Sequence, residues 1–338
     1  MINRSVKSLL RRTGRPIIND NRRTFVNQTN GKIPKRMTFF WAGKTISWLR
    51  YMTLYSFVKL NPDWDVHLVT SNAKVKDKEW ECHNEQDFMT KVEDKNDYYY
   101  LIKKLKITIT NWKMEHPFQK KIKTWNDISP PHKCDFLEWK TLSNEGGYFS
   151  DMDILYLRPM DKLHNKLITE KIDTGVCYHN VGDMGFKLYS IGFICASQNN
   201  FFYRDLYLYT FGIYNKHKYQ STGVLSMYSM LSNGKCKSNN ISFDTYLKKI
   251  NFNNMIKQRY PNLKLHNFPF KLVYPWNWKQ LDDIFIENKV DELPEESIGI
   301  HWYGGAPISQ VFNKILTHKN YKNFDNTICN CIKQYLDK

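Results

Sequence analysis

The sequence predicts an α/β fold in which helices flank a mainly parallel sheet, and three observations carry that reading. An apolar and aromatic run, "MTFFWA" at residues 37–42, closes on Gly43; a helix-like segment and a second apolar strand follow within about forty residues, the mark of a βαβ unit. A second helix-to-strand passage, "SPPHKCDFLEWKTLSNEGGYFSDMDILYLRPMD" from residue 129, repeats the alternation. The third is length: 338 residues suffice for one large α/β domain, or two modest ones, with a sizeable core.

Residues 1–31 are basic, polar and punctuated, and read as an N-terminal tail; the fold proper begins at "KIPKRMTFFWAG" and runs over 32–338. In "KTISWLRYMTLYSFVKLN" the apolar residues Ile46, Leu49, Leu54 and Phe57 fall at near-helical spacing, and Asn61-Pro62 supplies a stop. "WDVHLVTSN" is the second strand. Residues 73–125 alternate in charge around "YYY" and a strand-like "ITIT", and support no firm assignment. Pro130 and Pro131 suit a helix start, Leu137, Thr141 and Leu142 share a face, and Gly146 ends the helix because glycine tolerates a left-handed cap. "YFSDMDILYLRPMD" then reads as one strand. The later pieces "YSIGFICAS", "STGVLSMYSML", "FKLVYPWNW" and "SIGIHWYGG" read as short strands or helices, with no internal repeat and no low-complexity linker.

Lysine and arginine outnumber acidic residues 50 to 33, for a net charge of +17. Such a field favours nucleotides, phosphorylated substrates, nucleic acid or anionic membrane, and a merely solubilising surface explains it equally well. The seven cysteines include no CxxC, which argues against a zinc ribbon or a disulfide scaffold and for buried free thiols in a reducing compartment. "MINRSVKSLLRRTGRPIIND" has no apolar stretch suited to a signal peptide or anchor. The expectation is a cytoplasmic protein whose basic tail is a candidate for peripheral membrane contact, a frayed tail being the plainer account.

Asp151 and Asp153 carry the chemistry. On a strand they point to one side, with Met152 opposite, and two carboxylates on one edge repel unless a cation or water lies between them. A hard dication, magnesium or manganese, is the natural partner and commonly keeps positions open for substrate phosphates. Gly146 and Gly147 just upstream would allow close approach of a bulky ligand. A DxD triplet alone is more often a solvated strand end; its place after a crossover helix, at a strand exit where α/β sheets bind ligands, favours a site.

"KCDFLEWKTLSNEGGYFSDMDILYLRPMD" resembles the core motif of DxD-type glycosyltransferases, a group that includes initiating α-mannosyltransferases, α-1,4-galactosyltransferases and bacterial capsular polysaccharide enzymes, with the clostridial glucosylating toxins more distant. The residues that match are Asp135, Leu142, Gly146, Gly147, Tyr148, Asp151 and Asp153. "IPKRMTFFWAG", "LNPDWDVHLVT", "SIGFICASQNNFFYRDLY", "STGVLSMYSML" and "FKLVYPWNWKQLDDIF" with "IGIHWYGG" resemble the group's other segments in order, from about residue 32 to 305. The resemblance implies a GT-A-type, Rossmann-like mixed sheet and a catalytic domain over 32–338. One position departs: the arginine expected to hold the donor falls on Glu138, and a reversed charge cannot do its work unless a neighbour such as Lys133 or Lys140 substitutes.

By the same resemblance, Asp153 binds the metal directly, Asp151 contacts metal and donor ribose, Asp135 bonds donor-sugar hydroxyls, and His301 completes the metal shell. Trp41 and Gly43 border the nucleobase, while Trp302 and Tyr303 reach the diphosphate from a closing C-terminal segment freed by Gly304 and Gly305. Trp276 and Trp278 in "YPWNW" are candidates for an acceptor platform, with core packing the favoured reading. Plainer readings also stand beside the other roles: a dipole-favoured helix carboxylate for Asp135, core packing for Trp41 and a structural histidine at 301. The implied activity is glycan biosynthesis by a retaining, manganese- or magnesium-dependent hexosyltransferase, using a UDP-linked nucleotide sugar and a glycan, lipid or protein acceptor, with no nucleic-acid partner. The alternatives are a catalytically silent glycan-binding relative and a basic nucleic-acid-binding protein.

Overall fold

Strand β1 (Arg36–Trp41) forms on the first apolar run, and α1 (Trp48–Leu60) follows where the near-helical spacing begins. The structure, a computed structural model, describes residues 32–71, 97–112, 128–181, 186–232 and 251–337; the tail expected over 1–31 lies outside them. Ser47 caps α1, its hydroxyl accepting the Arg50 N–H at 3.4 Å, and the chain leaves the helix at Asn61, before Pro62. Strand β2 (Asp65–Thr70) pairs parallel to β1, which completes the βαβ unit. In the stretch left open by the sequence, α2 (Tyr99–Ile102) is one turn of helix and "ITIT" contributes strand β3 (Thr108–Asn111).

Helix α3 (Pro130–Asn144) begins on its two prolines and ends where expected. The Glu145 and Gly146 N–H groups both donate to the Thr141 carbonyl, and Gly146 takes φ +65°, the left-handed conformation that favours glycine. The strand after it is shorter than the sequence suggests. Strand β4 (Gly147–Ser150) stops before Asp151; residues 151–153 form a turn; β5 (Ile154–Tyr156) then joins a separate two-stranded sheet. Beyond it lie α4 (Asp161–Thr169), β6 (Thr174–Val181), β7 (Phe186–Ala196), α5 (Phe201–Ile213), α6 (Val224–Leu231), α7 (Phe252–Arg259) and β8 (Leu265–Pro269). The C-terminal part supplies α8 (Leu281–Phe285), β9 (Gly299–His301), α9 (Pro307–Ile315) and α10 (Thr327–Tyr335).

The main sheet has seven strands in the order β3-β2-β1-β4-β7-β6-β8. Pairings β4–β7 and β6–β7 are antiparallel and the others parallel, so the expected mixed, mainly parallel sheet flanked by helices is the architecture observed. Alternation along each strand sorts the core into two layers. Met37, Phe39, Tyr148 and Phe193 pack with Leu54 and Phe57 of α1 and Leu167 of α4. Phe40, Phe149 and Ile194 face Leu137 and Trp139 of α3, Leu206 of α5 and Met227 of α6. Burying each such side chain stabilises the fold by about 1.5–3 kcal/mol. A third layer covers the outer side of α1, where Trp48, Leu49 and Met52 meet Leu155, Ile300, Phe312 and Ile328.

The described cysteines are free: Cys177, Cys195, Cys329 and Cys331 are buried and Cys134 partly so, as expected of packed thiols. Core packing holds for Trp276 but not for Trp278, which is 57 % exposed beneath the Lys279 ammonium. Among the described residues no helix is long and apolar enough to cross a membrane.

Candidate active site

Asp151 and Asp153 converge by a mechanism different from strand alternation. The chain leaves β4 at Ser150, and three bonds fix the turn that follows. The Asp151 N–H donates to the Gly192 carbonyl at 2.8 Å, the Thr53 hydroxyl donates to the Met152 carbonyl at 3.2 Å, and the Trp302 N–H donates to the Asp153 carbonyl at 2.8 Å. Met152 is buried in the layer beneath α1, so the carboxylates on either side are turned outward. Strand β9 supplies the third group: it pairs antiparallel to β5 with His301 opposite Ile154, one residue beyond Asp153.

His301 Nε2 lies 3.2 Å from Asp153 Oδ1 and 3.5 Å from Asp151 Oδ2. One ligand atom from each of the three residues falls within 4.8 Å of the others, a spacing suited to a single ion. Two carboxylate oxygens and an imidazole match the ligand preferences of manganese or magnesium, so the residues fit a hard dication. The side chains of His301 and Asp153 are 8 % and 14 % exposed, whereas that of Asp151 is 42 % exposed, so the group opens to solvent on the Asp151 side.

The surrounding chain orients these ligands. Tyr303 holds φ +49°, uncommon for a residue with a side chain, and its N–H points at His301 Nδ1 at 3.2 Å; the next N–H, of Gly304, donates to Asp153 Oδ2 at 2.6 Å. Burial opposes the charge on Asp153, but His301, the Arg50 guanidinium and the Gly304 N–H outweigh it and hold its pKa at about 2. Burial likewise opposes the imidazolium at His301, and Asp153 and Asp151 overcome it, raising the ring to about 9. Whether the ring is neutral or charged, an Nε2 proton faces the carboxylates, in the place a dication would take.

Asp135 projects from α3, its carboxylate accepting the Thr222 hydroxyl at 2.6 Å. Burial lifts its pKa to about 7; the charge of Asp151 adds to the rise and Thr222 opposes it. Glu138, one turn on, is buried, and its Oε1 has no hydrogen-bond partner among the described residues. Burial pushes that carboxyl well above the usual range, with Asp135 and Asp151 adding to the shift. Burial therefore disfavours the reversed charge at this position. Lys133 is fully buried and Lys140 lies over the Trp112 ring.

The glycines are packed closely against the protein's own backbone and side chains. A Cβ on Gly146 would meet the Ala196 carbonyl oxygen and the Gln198 nitrogen at 2.7 Å, and one on Gly147 would meet the Arg36 carbonyl oxygen at 2.9 Å, so close backbone packing requires a glycine at both positions. The Trp41 ring fills the corresponding space at Gly43, with the indole N–H donated to the Thr45 carbonyl at 2.9 Å. Trp302 is fully buried, which removes it from the surface facing the diphosphate, while Tyr303 is half-buried with its hydroxyl donated to the Trp276 carbonyl at 3.3 Å. Gly304 is packed against Arg50 and the Trp302 ring; close approach, not lid freedom, accounts for it.

Three residues that sequence reasoning missed stand at the site: Arg50, Thr222 and Gly192. A Cβ on Gly192 would lie 2.5 Å from Asp151 Oδ2 and 2.6 Å from the Tyr274 hydroxyl, which is itself held by the Ser190 hydroxyl at 2.7 Å. Asp151 is the partner free to move. Gly192→Ala should therefore weaken manganese binding about ten-fold or more, as losses of groups that orient metal ligands do, with little change in melting temperature. Calorimetric titration of Mn2+ checks this, and an unchanged affinity would show that Asp151 does not hold the ion.

No protein-family model matches the chain, and no curated protein matches it. Among solved structures it is similar to the PaToxG glycosyltransferase, at 13 % identity over 69 % of this chain and 86 % of that one, with a TM-score of 0.37. Mouse xyloside xylosyltransferase 1 is similar at 11 % identity over 79 % and 96 %, TM-score 0.39. The glycosyltransferase GlyE of Streptococcus pneumoniae is similar at 7 % identity over 90 % of this chain and 60 % of that one, TM-score 0.39. At these TM-scores the likeness is loose, and the chemistry has to be read from the chain's own residues.

Proposed function

We propose that the chain is a metal-dependent, retaining glycosyltransferase of the GT-A type that moves a hexose from a nucleotide sugar to a hydroxyl of a glycan, lipid or protein acceptor. The observation that carries this reading is the convergence of Asp151, Asp153 and His301 into one solvent-open ligand set at the exit of β4. Strand exits of parallel sheets are where α/β proteins bind nucleotides. The ordered motifs from residue 32 to 305 support glycosyl transfer over other dication chemistry. Retention and a UDP-linked donor are supported by that sequence resemblance.

Each residue then has a task. Asp153, low in pKa and fixed by the Gly304 N–H, and Asp151, facing solvent, hold the dication together with His301. When bound, the ion offsets the charge on the departing nucleoside diphosphate. Asp135, ionised above about pH 7, accepts hydrogen bonds from donor-sugar hydroxyls while Thr222 fixes its orientation. Trp41, half-buried at the end of β1 with its indole N–H anchored, offers a ring face to the nucleobase.

A panel of nucleotide sugars incubated with the protein and Mn2+, without acceptor, tests the reading. One sugar should be hydrolysed slowly, with release of its nucleoside diphosphate, and chelation should stop the release. A protein that binds a nucleoside diphosphate with manganese yet hydrolyses no sugar of the panel is the silent relative instead.

A further inference from the structure

Arg50 occupies an unfavourable position for a cation. It stands in the first turn of α1, where positive charge opposes the helix dipole, and it is 8 % exposed. Burying a guanidinium is costly unless its surroundings compensate. Here they do. The guanidinium carbon lies 4.5 Å from the ring centre of Trp41 and 5.3 Å from that of Trp302, so two aromatic faces receive the charge. Nη2 reaches within 2.9 Å of where a Cβ on Gly304 would stand, and the Gly304 N–H is bonded to Asp153. The same cation thus spans from the nucleobase-side tryptophan to the ligand set.

Charge explains what such an arrangement is for. Two carboxylates and a dication sum to zero, and Asp135, when ionised, makes the surroundings negative, so a cation beside the set strengthens its attraction for the diphosphate of a nucleotide. A guanidinium beside Asp153 places positive charge next to the ligand set, and in a partly buried site that charge is weakly screened. We propose that Arg50 is the positive charge of the donor site: a side chain on α1, clamped between Trp41 and Trp302, that attracts the diphosphate of a nucleotide sugar beside Asp153. This rests on the reading given under Proposed function and adds a residue that the sequence motifs do not mark.

The two ligands must respond to the loss of this charge in opposite senses, which separates the role from simple packing. Mn2+ is titrated into free wild type, Arg50→Met and Arg50→Lys; uridine, guanosine, cytidine and adenosine diphosphates are then titrated into each protein saturated with Mn2+. In Arg50→Met, manganese affinity should stay level or rise, because a positive charge has left a cation site, while affinity for the diphosphate that wild type prefers should fall about ten-fold or more. Arg50→Lys should keep most of that affinity. Nucleoside diphosphate binding by Arg50→Met within about two-fold of wild type overturns the proposal. So does a parallel loss of both ligands, which marks a packing residue. If wild type itself binds none of the four diphosphates with Mn2+, the functional reading fails first and this one with it. Should Arg50→Met not fold, Arg50→Gln carries the same comparison.

Discussion

Asp153→Asn should abolish manganese binding and lower nucleotide-sugar turnover on the order of 10³-fold, the scale seen when a group facing developing charge is removed. The amide oxygen can still accept the Gly304 N–H, so the turn from Tyr303 to Gly304 keeps its shape. What is lost is the charge, together with the acceptor that His301 Nε2 faces at 3.2 Å. Asp151→Asn should be milder, because its side chain is the more exposed of the two and lies farther from Nε2, at 3.5 Å. Manganese titration and initial rates on both variants, with melting temperature as the control, make the comparison. Wild-type manganese affinity in both would remove the ligand set and with it the case for glycosyl transfer.

The distribution of what the sequence reveals follows from the range of the forces involved. Strands β1 and β2, helices α1 and α3 and the glycine stop at 146 were legible because each is set by a local rule: apolar spacing, proline at a helix start, a left-handed cap. The pairing of Asp151 with Asp153 was legible too, but for a reason that does not hold. Alternation along a strand predicts their common side, whereas a turn produces it, and the turn exists because Thr53, Gly192 and Trp302 take up its backbone groups from three distant elements. No local pattern encodes that. Arg50, Thr222 and Gly192 escaped for the same reason, each reaching the site only through tertiary contact. One retrospective signal existed for Arg50: a cation in the first turn of a helix whose first turn holds no acidic residue. The glycines of "EGGYFSD" carry two readings at once. Their spacing suits a ligand cradle, but a helix cap and a close sheet contact require them equally, and the packing around their α-carbons shows the second requirement.

Asp135→Asn should lose about 10²-fold in donor turnover and gain stability at pH 8, and the opposed signs identify a residue kept for function. The stability half follows from linkage. In the folded protein Asp135 binds its proton up to about pH 7, while in the unfolded chain it releases it near 3.8, the ordinary value for the residue. Between those values the folded state holds more protons, so its stability falls as pH rises from about 4 to about 7. The asparagine variant cannot ionise and should lack that slope. Its carbonyl still accepts the Thr222 hydroxyl, so little packing is disturbed. The activity half follows from the same burial. A carboxylate in this position bonds sugar hydroxyls strongly only when ionised, so wild-type kcat/KM for the donor should climb through an apparent pKa near 7, and that limb should vanish in the variant. Neighbouring charges act on this ionisation in one direction: Asp151 raises it, and a dication held at Asp151 would draw it down. Manganese at saturation should accordingly shift the limb to lower pH. A limb that persists in Asp135→Asn, or ignores manganese, would assign the ionisation to another group.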